Sequence, residues 1–154
     1  MLVRAWDRDR DYDTLVKWWT QWEFGTVPKE CLPPAGIMVE VDGEPVCAGG
    51  LYIGEGTQFA FMEWIVTDKT AEPRNVHKCL KLCIDGIMGL AKDRGMQLVY
   101  TATKEPALHK RYQKYHDMVL TESNVKTFLR DLDGSYSEDL TWISDDEQID
   151  NLNK

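Results

Sequence analysis

The stretch between residues 37 and 103 constrains the fold most, because its apolar pattern changes from strand to helix and back to strand in a fixed order. An Asp42-Gly43 pair marks a hairpin between the first two predicted strands. A long helix between two strands lets them pair in parallel, so we predict an α/β (α+β) fold with a mixed, mostly antiparallel central sheet flanked by helices. We expect its one parallel contact to join the strands on either side of that helix, with a right-handed crossover. The predicted elements are strands at 37–41, 45–53 and 59–67, a helix at 74–94 and a strand at 97–103.

Further elements are predicted on both sides of this stretch. A strand at 2–6 precedes a helix that Asp11 or Asp13 could cap. Trp18, Trp19 and Trp22 of this helix cannot all point one way, so at least one should be exposed or lie under the irregular stretch 24–36. We expect a single domain over residues 1–144 and an acidic, mobile tail over 145–154. The later predicted elements are a helix at 105–115 and strands at 118–121, 125–132 and 140–143.

The charge and the N-terminus narrow the class of protein. A formal net charge of -8 over 154 residues repels phosphate backbones, so we expect no nucleic-acid partner. No apolar run approaches the ~20 residues that cross a bilayer, and acids stand where a secretory signal has its apolar stretch. We therefore expect a cytoplasmic protein without membrane contact, whose partners are amines or basic proteins. The oligomeric state stays open.

Four cysteines, Cys31, Cys47, Cys79 and Cys83, are expected to be reduced thiols in that compartment. Cys79 and Cys83 share a helix face near His77, but no second pair completes a zinc site, so we expect no metal. The sequence also has no Gly-x-Ser-x-Gly elbow, Walker loop or GxGxxG motif. Nucleophilic hydrolases and the common nucleotide-binding classes are therefore not indicated.

Two segments carry a resemblance to a known family. The first is Met62-Glu63-Trp64-Ile65-Val66-Thr67, followed by a polar loop and the helix that opens at Arg74. The second is the strand at 98–103 followed by Ala107-Leu108 and the run 111–115, which ends in tyrosine. Over about residues 2–132 the chain resembles the GNAT superfamily of acyl-CoA-dependent N-acyltransferases.

The resemblance implies that acetyl-CoA is the co-substrate and that its pyrophosphate lies at the loop and the helix opening. A helix N-terminus with free N–H groups is an anion site on physical grounds as well, and Arg74 adds a bidentate positive charge. The amide-bearing arm of coenzyme A would enter a slot between residues 63–67 and 98–103. The cofactor-binding residues so implied are Val66, Thr67, Arg74, Asn75, Val76, His77, Lys78, Cys79 and Thr103.

Four residues depart from the family pattern. His77 stands in place of a glycine, Cys79 in place of a small residue, and His116-Asp117 where many members have Gly-Phe. The loop before Arg74 is also about three residues longer than expected. A second interpretation therefore stays open: a non-catalytic GNAT-like binding or structural protein, for example from a bacteriophage, that has lost cofactor binding.

Acyl transfer to an amine needs a base, an oxyanion donor and an acid for the leaving thiolate. By the resemblance, Tyr112 is the candidate acid and Glu63, flanked by Met62 and Trp64, the candidate base. Backbone amides near Val66 would be the oxyanion donors. His109 and His116 are alternative bases. The acceptor, an amine of a small molecule or of a protein, cannot be read from the sequence.

Overall fold

The computed structural model describes residues 1–136, which form one five-stranded sheet with helices packed on it. None of the helices within these residues is long and apolar enough to cross a membrane. The strands are β1 Leu2–Ala5, β2 Ala35–Val41, β3 Glu44–Ile53, β4 Phe59–Thr67 and β5 Leu98–Tyr100. The helices are α1 Arg8–Gln21, α2 Pro73–Asp93 and α3 Pro106–Tyr115, and a 3-10 turn lies at Lys29–Cys31.

The sheet follows chain order, β1-β2-β3-β4-β5. Every neighbouring pair is antiparallel except β4 and β5, which pair in parallel from Phe59↔Leu98 to Phe61↔Tyr100. Helix α2 connects these two strands, so it is the predicted crossover. The predicted fold class and the predicted parallel contact are confirmed.

Helix α1 begins earlier than the sequence suggested. The cap is Asp7, whose carboxylate accepts from the N–H groups of Asp9 and Arg10 at 2.9 and 3.1 Å. The predicted caps, Asp11 and Asp13, lie inside the helix. Asp11 is instead buried, and Arg4 of β1 donates to both of its oxygens at 2.8 and 2.9 Å. Burial raises the Asp11 pKa, but these bonds outweigh burial and the pKa falls below its ordinary value.

Each face of the sheet is covered by a different helix. Helix α2 packs on one face with Cys79, Cys83, Ile84 and Ile87 fully buried, and a Cβ at Gly86 would approach Ile37 to 3.3 Å. Helix α1 packs on the other face through a second cluster. Trp22 at its end is 39% exposed, so the expected exposed tryptophan is present. The α1 cluster consists of Trp6, Leu15, Trp18, Trp19, Val27, Leu32, Met38, Ala48 and Val66.

The C-terminal strand predictions were wrong within the described residues. Strand β5 ends at Tyr100 rather than 103, and neither 118–121 nor 125–132 forms a strand. Apart from Met118, which packs against the cluster under α2, their apolar side chains stay exposed, by 82% at Val119 and 91% at Phe128. An apolar segment becomes a strand only when a neighbouring strand hydrogen-bonds with its backbone. Strand β5 is three residues long, so it offers few such backbone partners. The predicted strand at 140–143 and the tail at 145–154 lie outside the described residues.

Candidate functional site

Strands β4 and β5 part beyond Phe61 and Tyr100, where their pairing ends. A bulge lies at this point in β4, because Trp64 and Ile65 together face Gly49 of β3. Trp64 adopts φ +63°, which is unusual for a bulky residue. A bulge bends its strand and increases the local twist, and this one lies just beyond the last β4–β5 pair. The opening lies where the sequence analysis placed a slot.

Glu63 directly precedes the bulge, and its half-buried carboxylate reaches across the opening. It accepts a hydrogen bond from the backbone N–H of Ala102, which follows β5. Burial raises the pKa of Glu63 to about 7, although the Ala102 hydrogen bond acts in the opposite direction. A carboxylate with that pKa exchanges protons readily near neutral pH, as a general base must.

Tyr112 of α3 lies on the other side of the opening and is only 6% exposed. Its phenol is hydrogen-bonded to the side chain of Thr101. Burial raises the Tyr112 pKa to about 12, and the negative charge of Glu63 acts in the same direction. The base and acid candidates are therefore close enough to sense each other's charge. Thr101 and Ala102 support them, and no residue-type signal could have shown this from sequence.

The N-terminus of α2 is open. Pro73 occupies its first turn, and no side chain among residues 1–136 caps it, so the N–H groups of Arg74 and Asn75 have no partner within the helix. Arg74, His77 and Lys78 are exposed and, with Pro73, line a shallow depression. Asn75 and Val76 are half-buried. This end of the helix therefore combines free donors with two full positive charges, a suitable setting for an anion.

The loop between β4 and α2 is held by the end of α1. Trp22 donates its indole N–H to the Thr67 carbonyl at 2.8 Å, and the Lys69 N–H bonds to the Gln21 side chain at 3.1 Å. The N–H of Thr70 is occupied by the Asp68 carboxylate at 2.8 Å. These donors are already used, so the free amides of α2 are the better anion partners.

Several predicted residues use their side chains for contacts within the protein. The Cys79 side chain and that of Val66 are buried in the cores under α2 and α1 respectively. Thr103 accepts from the Glu105 N–H at 3.1 Å, and its carbonyl accepts from His109 at 2.6 Å. Both groups therefore organise the turn into α3.

The side chain of His116, the other alternative base, is buried, as are Cys47, Cys79 and Cys83, whereas Cys31 is exposed. His116 contacts Asp85 of α2 at 3.0 Å, with its side chain fully buried. All four cysteines are free thiols. Within residues 1–136 no group of three or more His, Cys, Asp or Glu side chains could hold a metal ion.

Solved structures with a similar fold have low sequence identity to this chain. An aminoglycoside acetyltransferase from an uncultured soil metagenomic sample aligns with TM-score 0.64 and 12% identity, over 84% of this chain and 95% of its own. Glucosamine-6-phosphate N-acetyltransferase from Arabidopsis thaliana aligns with TM-score 0.59 and 12% identity, over 84% and 98%. Rv2747 from Mycobacterium tuberculosis, solved with CoA, aligns with TM-score 0.60 and 15% identity, over 73% and 70%. This chain has the GNAT fold. No family model and no curated protein matches its sequence.

His77, which stands where the GNAT pattern has a glycine, contacts helix α3. Arg111 of α3 donates to the His77 carbonyl at 3.2 Å and to its Nδ1 at 3.1 Å. The imidazole also packs edge-on against Tyr115, with ring centroids 5.8 Å apart. Contacts with α3 therefore fix His77 and place the Arg111 charge beside the first turns of α2. Sequence reasoning missed Arg111, because its partner is 34 residues away.

Proposed function

We propose that this GNAT-fold protein is an N-acyltransferase that moves an acetyl group from acetyl-CoA to an amine. The observation that supports the proposal is that Glu63 of β4 and Tyr112 of α3 both lie beside the opening between β4 and β5, near enough for the Glu63 charge to raise the Tyr112 pKa. The open N-terminus of α2 lies at the end of the loop that follows β4. The acetyltransferases of the same fold, and the CoA in the Rv2747 structure, support this choice.

The anionic part of acetyl-CoA would bind at the start of α2. The free N–H groups of Arg74 and Asn75 point along the helix axis toward it, and the Arg74 guanidinium adds a charge-assisted bond. Lys78 and Arg111 add positive charge nearby. The amide-bearing arm would then follow the edge of β4 from Met62 onward, where the pairing with β5 has ended.

In the chemical step, Glu63 accepts a proton from the amine as its nitrogen bonds to the thioester carbon. The carbon–sulfur bond breaks, and the departing thiolate takes the Tyr112 proton. The negative charge of Glu63 raises the Tyr112 pKa, so protonation of Glu63 lowers the Tyr112 pKa. The first proton transfer therefore makes Tyr112 a stronger acid for the second. This coupling offsets part of the disadvantage of a buried phenol.

Titration calorimetry with coenzyme A tests the proposal. We expect wild type to bind, and Arg74→Ala to weaken binding by about 1.5–3 kcal/mol, the contribution of a hydrogen bond to a charged group. Arg94→Ala is the matched control, since it removes the same charge at the other end of α2. No measurable affinity of wild type at millimolar coenzyme A would favour a non-catalytic binding or structural role.

A further inference from the structure

Aromatic side chains form a continuous surface on one face of the sheet beside the opening. We name Tyr52, Phe59, Phe61 and Tyr100 the aromatic shelf. Tyr52 of β3 pairs with Phe61 of β4, and Phe61 pairs with Tyr100 of β5, so the three rings share one face. The Phe61 ring centroid lies 5.5 Å from Tyr100 and 5.1 Å from Phe59.

The shelf is not part of either core. The intervening residues of β4, Ala60 and Met62, face the buried cluster under α2. On the shelf's own face, the α1 cluster extends along β4 only to Trp64 and Val66. Phe61 and Tyr100 therefore remain 40% and 39% exposed. A contiguous, partly exposed aromatic surface on a folded protein is typical of an interaction or ligand-binding site.

Glu63 stands at the edge of this shelf. It follows Phe61 by two residues on the same strand face, a distance of about 7 Å along β4. Its charge also acts on Tyr52, where it raises the pKa after the larger effect of burial. A ligand lying on the rings could thus place a cationic or nucleophilic nitrogen at the carboxylate.

The shelf has little capacity for hydrogen bonds. The Tyr52 hydroxyl donates to the Cys31 carbonyl and accepts from the Trp64 indole N–H at 2.8 Å. Among the four shelf side chains, the Tyr100 hydroxyl is the one polar group besides it. An aminosugar would leave many hydroxyls without protein partners here, whereas a flat apolar ring would bury its face on the aromatic side chains.

We propose that the acyl acceptor is an arylalkylamine, a primary amine joined by a short chain to an aromatic ring, with the ring on the shelf and the nitrogen at Glu63. The carboxylate complements the positive charge of such an amine, and the surrounding rings favour it as well. This substrate class rests on the proposed function, but its binding can be measured without any turnover.

The test is calorimetric titration of 2-phenylethylamine and, separately, of glucosamine, alongside acetyl transfer to each. We expect 2-phenylethylamine to bind at least about tenfold more tightly, and Phe61→Ala to weaken it by about tenfold or more, since a buried aromatic contact is worth that much. Phe128→Ala is the matched control, because Phe128 is 91% exposed and is not part of the shelf. Phe61→Leu, which keeps an apolar strand residue, should show the same direction if Phe61→Ala folds poorly.

The results distinguish the proposed acetyl transfer from the proposed acceptor class. Phe61-dependent binding of 2-phenylethylamine without coenzyme A binding or acetyl transfer would keep the shelf as a site and overturn the proposed function. Acetyl transfer that favours glucosamine, or equal 2-phenylethylamine affinity in Phe61→Leu and Phe128→Ala, would overturn the acceptor class alone. No binding of 2-phenylethylamine at millimolar concentration would also overturn it, whatever coenzyme A does.

Discussion

Glu63→Gln should make the protein more stable at alkaline pH while removing its activity. Burial raises the folded-state pKa of Glu63 from 4.5 to about 7, so the folded protein holds this proton more tightly than the unfolded chain. The contribution of Glu63 to the free energy of unfolding of wild type is therefore fully present below pH 4.5 and is lost as pH rises through about 7. Glutamine stays neutral throughout and keeps an oxygen for the Ala102 N–H.

The size of the effect follows from the two pKa values. The difference between 4.5 and about 7 corresponds to about 3 kcal/mol if none of it is screened. Because Glu63 is half-buried and partly in contact with solvent, we expect about 1–2 kcal/mol. The variant should therefore match wild type near pH 4.5 and exceed it by that amount above pH 7.5.

Urea unfolding across pH 4.5–8.5 measures this difference directly, because groups common to both proteins cancel. Glu55→Gln, which removes a charge from an exposed turn, is the control and should show no such pH dependence. Turnover of Glu63→Gln should fall by roughly 100- to 10,000-fold with coenzyme A affinity retained. A difference in unfolding free energy that stays flat with pH would refute the buried-base argument, and unchanged turnover would refute its catalytic role.

Two further predictions concern α3 and its cap. Tyr112→Phe should lower turnover by roughly 100- to 10,000-fold with coenzyme A affinity unchanged, and should cost about 1 kcal/mol for the lost bond to Thr101; a steady-state assay showing wild-type turnover would remove Tyr112 from the mechanism. The His116 pKa is lowered by burial against the opposing effect of Asp85, so its contribution to stability should be lost as pH falls below about 6.5. Urea unfolding of His116→Gln between pH 7.5 and 5 should show a smaller loss on acidification than wild type, and parallel curves would contradict this.

Local patterns in the sequence were enough for the main elements. Short apolar runs bounded by turn residues specify β2, β3 and β4, and the apolar stripe of α2 specifies a helix long enough for a parallel crossover. The strand–helix–strand order then restricts how β4 and β5 can meet. These features depend on neighbours within a few positions, so they can be read without the fold.

Contacts between distant segments required the tertiary structure. The predicted caps of α1 failed because Arg4 of β1 takes up Asp11 as a buried partner. The strands predicted at 118–121 and 125–132 failed because strands need a partner, which residue patterns do not reveal.

The chemistry of the candidate site was likewise decided by the fold. Glu63 and Tyr112 were named from a family resemblance, but their raised pKa values arise from burial at an opening that forms only when β4 and β5 part. In the sequence, His77 departs from the family pattern; in the structure, its imidazole contacts Arg111. The alternation of β4 predicts which residues share a face. Only the packed sheet, with α1 covering one end of that face, leaves Phe61 and Tyr100 exposed next to the carboxylate.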